Sequence, residues 1–226
     1  MDSVIFDLSQ TPLREVNQFL HHNANGKPIK ILNPNGAHNI AIGLDSPISV
    51  EIAGHVGYYA AGMNQLANVT IDGNAGTGVA ENMMSGRVHV KGFASVSAGA
   101  SAQGGLLIID GNASLRCGIS LKGGDIVVGG SVGSFSAFMA QAGRIIICGD
   151  AADAIGDSLY EAVIYIRGTV KSLGADAQFE PMSETDYQTV GELLAKAEFC
   201  HDPKEFKRIA SAKQLYHWNA DANQEY

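Results

Sequence analysis

The sequence predicts a parallel β-helix, a solenoid built with one strand per coil, and three observations carry that prediction. Gly54, Gly73, Gly92, Gly111, Gly130, Gly149 and Gly168 stand 19 residues apart with no insertion or deletion. Two and four residues before each of these glycines the chain is aliphatic, from Val50 and Ile52 in the first coil to Ile164 and Ile166 in the last. Thirteen residues after them come Ala67, Gly86, Gly105, Gly124, Gly143 and Ala162, always tiny. Helix-pair repeats need about 33 to 47 residues and a propeller blade about 40. The 19-residue period is too short for either, which leaves one strand and its corners per coil.

The elements follow in order. "VIFDL", Val4 to Leu8, has strand composition. Thr11 followed by Pro12 is an N-cap with a first-turn proline, and Leu13, Val16, Phe19 and Leu20 recur at helical spacing up to a stop at "NANG", residues 23–26. Residues 1–34 thus form an N-terminal α/β cap, which a solenoid needs because its terminal coil exposes core and strand edge. Residues 35–175 are the coils. Alternate strand positions share a face, so each coil sends two aliphatic side chains inward, and seven coils at the ~4.8 Å strand spacing make a rod roughly 34 Å long. The coil glycines supply either positive φ at corners or close approach between coils. Three residues after each comes Gly57, Gly76, Ser95, Ser114, Gly133 or Ala152, and the last coil breaks the rule with Lys171. After Gly174 the period is lost, and residues 176–226 are expected to be a helical tail. Ser183 is its first N-cap, and Asp202-Pro203 with Glu205 makes a second start of capping-box type. Phe206, Leu215, Tyr216 and Trp218 make this tail apolar and aromatic.

One outward ladder points to a covered surface. Three residues before the glycines stand Glu51, Thr70, His89, Ile108, Val127, Ile146 and Tyr165. The first three suit water and the last four do not. Large apolar patches are rare on monomers, so Ile108, Val127, Ile146 and Tyr165 are covered either by the tail or by a second chain. With Tyr216 and Trp218 they are the candidate interface.

Composition removes several classes. The 226 residues carry 15 Lys and Arg against 23 Asp and Glu, a net charge of -8, which disfavours nucleic acid and anionic membranes as partners. No apolar run approaches the ~20 residues of a membrane span and "MDSVIFDLSQ" lacks a basic signal-peptide start, so a cytoplasmic chain is expected. Cys117, Cys148 and Cys200 are odd in number and dispersed, the pattern of small buried thiols rather than of a disulfide, zinc or iron-sulfur framework. His21 and His22 end a helix, where a positive charge suits the dipole. His201 beside Cys200 and Asp202 has ligand chemistry, but sequence neighbours rarely converge on one ion. "VTIDGNAGTG", Val69 to Gly78, is a coil rather than a phosphate loop, since it matches neither GxxxxGK[ST] nor GxGxxG. Asp72, Lys91 and Asp110 form a charge-alternating edge that also mimics the carboxylate sites of polysaccharide-cleaving β-helices. No nucleophile constellation is assignable, and no catalytic, cofactor-binding or metal-binding residue is nominated.

The coils "IAGHVGYYAAGMN", "VTIDGNAGTGVAENMMSGRVHVKG", "GGDIVVGGSVGSFSAFMAQAG" and "IIICGDAADAIGDSLYEAVIYIRGTV" resemble the GXGXG β-helix domain. That domain forms the C-terminal part of the glutamate synthase large subunit and also occurs in one of the subunits of formylmethanofuran dehydrogenase. With its ending "FKRIASAKQLYHWN" the chain is most similar to the small β-helix subunits of N-methylglutamate synthase, a glutamate-synthase-like enzyme divided over three chains. The resemblance implies a right-handed coil and a non-catalytic structural subunit. A class II glutamine amidotransferase-like subunit and an FMN-dependent, iron-sulfur-containing glutamate-synthase-like subunit would then join methylamine to glutamate and release ammonia. FMN and the iron-sulfur cluster belong on the partner and none on this chain. Met1-Asp2 offers no N-terminal cysteine nucleophile, and no catalytic residue of the family has a position here. A β-helix component of formylmethanofuran dehydrogenase and a stand-alone carbohydrate-active β-helix enzyme are the alternatives.

Overall fold

In the computed structural model, which describes residues 3–22 and 27–214, the aliphatic register becomes one continuous sheet of eleven strands. It opens with β1 (Val4–Asp7), leaves it for helix α1 (Leu13–His22) and returns as β2 (Ile29–Leu32), parallel to β1. The coils follow as β3 (Ser49–Ala53), β4 (Asn68–Ile71), β5 (Arg87–Val90), β6 (Leu106–Ile109), β7 (Lys122–Val128), β8 (Ala142–Ile147) and β9 (Val163–Ile166). Each is parallel to the next, with Ile52 beside Ile71, Val90 and so on through Ile147 and Ile166. The fold is therefore a parallel β-helix. The stop expected at residues 23–26 lies outside the described residues.

All the aliphatic side chains two and four before the glycines are buried, none more than 2% exposed. Each contributes about 1.5–3 kcal/mol of gross burial, which ordering entropy largely cancels. Two further inward ladders complete the core. Ala60, Val79, Ala98, Cys117, Ser136 and Ile155 stand six after the glycine, and Asn64, Met83, Ala102, Leu121, Ala140 and Leu159 ten after it. From just before the first of these ladders to just before the second the chain turns through an arc of alternating left-handed residues, Tyr59, Ala61 and Met63 in the first coil and Phe135, Ala137 and Met139 in the fifth. A left-handed non-glycine residue costs roughly 1–2 kcal/mol. The compensation is an ordered set of hydrogen bonds in both directions. Tyr59 N–H donates to Thr77 O and Met63 N–H to Glu81 O in the next coil, while Ala80 N–H donates back to Ala60 O.

The coil glycines serve close approach. Gly92, Gly111, Gly130, Gly149 and Gly168 each donate an N–H to the carbonyl of the glycine one coil earlier, at 2.9–3.1 Å. A Cβ on Gly149 would meet Gly130 C at 2.6 Å, and only Gly54 among the seven has positive φ. In most coils the next residue continues the ladder with its side chain, Phe93 being an exception: His55 Nδ1 accepts from Asn74 N–H, Asn74 Oδ1 from Phe93 N–H and Asp150 Oδ1 from Thr169 N–H.

Both ends are closed by backbone. Helix α1 buries Val16 and Leu20 against the first coil, and Asn17 bridges Asn39 O and Ala41 N–H as a preceding coil would. At the other end the expected helical tail is only partly helical. After β10 (Ala177–Glu180), helix α2 (Glu184–Ala197) starts at Ser183 with a capping box formed with Asp186. The second expected helix is instead a single 3-10 turn, Pro203–Glu205, followed by β11 (Lys207–Ser211). Asp202 caps Lys204 N–H, but Glu205 turns away to pair with Arg167. β11 inserts antiparallel between β9 and β10, burying Ile209, and thereby covers the last strand edge of the coils.

Candidate functional site

The outer face of the sheet carries the chemistry, and it is divided in two. Over β6 to β9 it is apolar and covered. Ile108, Val127, Ile146 and Tyr165 are 0–3% exposed beneath Val190, Leu193, Leu194 and Ala197 of α2 and Phe206. Four members of the candidate interface are thus seats for this chain's own tail and are not free for a second chain. Tyr216 and Trp218 lie outside the described residues.

A polar network fixes α2 on that seat. Tyr165 O–H donates to Asp186 Oδ1 at 2.6 Å, Ser183 donates through N–H and O–H to Asp186 Oδ2, and Arg208 forms ion pairs with Glu180 and Asp186. Burial alone would raise the Asp186 carboxyl, but the hydrogen bonds from Ser183 and Tyr165 outweigh it and hold the group below the usual carboxylate range. Burial and the neighbouring Asp186 push the Tyr165 phenol up.

Over β2 to β5 the same face is polar and open. It forms a groove of about 680 Å³ lined by Lys30, Glu51, Thr70, Arg87, His89 and Lys91, with Glu198 at the end of α2 as its rim. Lys30 Nζ lies 2.6 Å from Glu51 Oε1, and that hydrogen bond holds the ammonium above its usual range. His89 Nε2 lies 2.7 Å from Asp110 Oδ1 and Lys91 Nζ 3.1 Å from Asp72 Oδ1. The acid ladder is therefore not a simple alternation, because Asp110 pairs with His89 while Lys91 takes Asp72. The sequence does not single out this groove, since Glu51, Thr70 and His89 taken one by one suit open water. The change of character between His89 and Ile108 is the one signal of it that the ladder carries.

The amides of Asn74, Ala75, Gly76 and Gly78 are bonded to neighbouring coils, so four of the six amides of "GNAGTG" are already used and cannot turn together toward a phosphate. His21 Nε2 and His22 Nδ1 each contact a backbone carbonyl, of Ile42 and Gln18. Among the described residues no three His, Cys, Asp or Glu side chains converge as a metal site would require. All three cysteines are free; Cys117 and Cys148 are buried, but Cys200 is exposed, against the expectation of a buried thiol, because it lies in the loop after α2. Among the described residues no helix is long and apolar enough to cross a membrane.

No family model matches the chain. It is 54% identical over 221 residues to Protein GlxC of Rhizobium meliloti (strain 1021), a match spanning 96% of this chain and 97% of that protein.

Proposed function

We propose that this chain, which belongs to the family of Protein GlxC, is a non-catalytic structural subunit of a multi-subunit glutamate-synthase-like amidotransfer complex, in its finer form N-methylglutamate synthase. The observation that carries the reading is the coil register. The glycine and aliphatic positions on which the resemblance to the GXGXG domain rests stack in single ladders from the first coil to the last, filling the interior with aliphatic side chains. A rod so filled offers surfaces rather than an internal cleft, which suits a scaffold. In this reading the amidotransferase-like and FMN-dependent subunits carry the chemistry, and both dock on the rod.

Tagging the chain in its native host, purifying it gently, identifying the co-purifying chains by mass spectrometry and recording a flavin spectrum tests this. Recovery with an amidotransferase-like chain and a yellow synthase-like chain is the expected result. Molybdenum or tungsten enzyme subunits would move the chain to the formylmethanofuran dehydrogenase branch. A colourless chain recovered alone would overturn the subunit reading.

A further inference from the structure

We propose that the open half of the outer sheet face, centred on Arg87, is the docking site for an acidic segment of a partner subunit. The inference deepens the subunit reading and rests on it. Its starting point is the pairing of charges along the sheet. Arg144 has Asp125 at 2.6 Å, Arg167 has Glu205, Arg208 has Glu180, and in the groove itself Lys30 has Glu51 and Lys91 has Asp72, while Lys122 and Lys207, the strand lysines without a carboxylate among the described residues, are both exposed. Arg87 has no carboxylate within ion-pair reach among the described residues. It makes a long polar contact, Nη2 to His89 Nδ1 at 3.5 Å, on the ring nitrogen that the Nε2–Asp110 pair leaves over, and that contact brings no negative charge to the guanidinium.

Arg87 is half-buried in an open groove, so its stem packs on the sheet while its guanidinium, with no counter-ion among the described residues, is left to solvent and to a carboxylate from outside. Its planar fork matches a carboxylate bidentately, which a lysine at the same place would not. The groove around it continues the strip of sheet on which α2 already lies, so a segment entering there would extend the helix line of the chain itself. Thr70 and Asn68 beside it supply polar groups for the segment's backbone. Glu198, exposed and without a cation among the described residues, stands at the rim toward α2. It repels carboxylates on that side and directs the acidic group to Arg87.

The test uses the native complex. Lys30 and Lys91 touch their own chain's carboxylates, so the informative amine is placed by Arg87→Lys. Carbodiimide coupling then joins that amine to any carboxylate in direct contact, and mass spectrometry identifies the acceptor. The expected result is a link from position 87 to an Asp or Glu of a co-purifying subunit. Arg87→Glu should weaken retention of that subunit at least about tenfold, while the variant chain unfolds thermally as the wild type does. Partners that co-purify with no link at position 87 and full retention by Arg87→Glu would overturn the docking site and leave the subunit reading standing. A link to this chain's own Asp2, which adjoins Ser3 in the groove lining, or to its Asp221 or Glu225 would also overturn it, since the groove would then be filled from within. If the wild type brings down no partner at all, both readings fall.

Discussion

Gly149→Ala asks why the coil glycines are glycines. Gly149 is outside the left-handed region, so in open space an alanine would stabilise the protein by about 0.4–1 kcal/mol through the unfolded chain. The space is not open. A Cβ would stand 2.6 Å from Gly130 C, 2.7 Å from Gly130 O and 2.6 Å from Ser131 Oγ. Carbon atoms settle at about 3.5 Å, so the two coils must part locally by roughly 0.9 Å. Gly149 N–H donates to Gly130 O at 2.9 Å, and an opening of that size takes the bond beyond the range of about 2.7–3.2 Å. Overpacking and a stranded amide each cost about 1–3 kcal/mol, which, less that gain, nets to a destabilisation of about 1–5 kcal/mol. For a chain of this size that lowers Tm by about 2–20 °C in a circular-dichroism melt. Gly36→Ala is the comparator, because its φ of +74° is left-handed while nothing lies within 4 Å of the added methyl. It isolates the conformational cost of about 1–2 kcal/mol. A Gly149→Ala protein that melts with or above the wild type would refute the close-approach argument.

Burial pushes the Cys117 thiol up to about 12 and the Cys148 thiol up to about 11, so a thiol reagent at pH 8 should titrate only Cys200 in the native protein and all three in denaturant; a second fast thiol in the native state would contradict this. The Asp186 carboxyl is held below its unfolded range, so its contribution is present above that range and lost as pH falls through the folded value. Between pH 7 and pH 3 the wild type should therefore lose more stability to urea than Asp186→Asn, and equal losses would refute the role of the network. Leu194→Ala removes a side chain 2% exposed between α2 and the sheet and should cost about 2–5 kcal/mol; an unchanged urea midpoint would show that α2 is not part of the cooperative unit.

The coils are legible in the sequence because a repeat reports the same physical requirement many times. One Val69 says little, but Val50, Val69 and Val88 in register state an inward face. The arc of left-handed residues is not legible, because Tyr59, Arg116 and Phe135 occupy positions where a search for turns looks for glycine. Those residues tolerate the conformation because hydrogen bonds to the next coil hold them there, a tertiary cause that no local propensity records. The second half of the tail is obscure for a related reason. Asp202 and Pro203 do start a turn, but the unpaired edge of β9 takes the following residues as a strand, and edge covering outweighs a weak helical start. Ser183 can be read directly because its signal is local: the cap, its box partner and the helix all lie within a few residues.

The two halves of the outer face have one geometric explanation. Helix α2 runs along the rod, with Asp186 near its start bonded to Tyr165 on β9 and Glu198 at its end bordering the groove over β5. Fourteen helical residues span about 21 Å, close to the width of four strands at ~4.8 Å each. The helix therefore covers β6 to β9 and no more, and the ladder turns from Ile108 to His89 at the coil where the cover ends. The His89 side chain, only 13% exposed, keeps a polar partner in Asp110 beyond the helix end, whereas a charged one at position 127 would have been desolvated under α2. The length of the tail thus sets how much of the repeat's outer face is committed within the chain and leaves a polar strip of defined extent, with Arg87 in it, to contacts from outside.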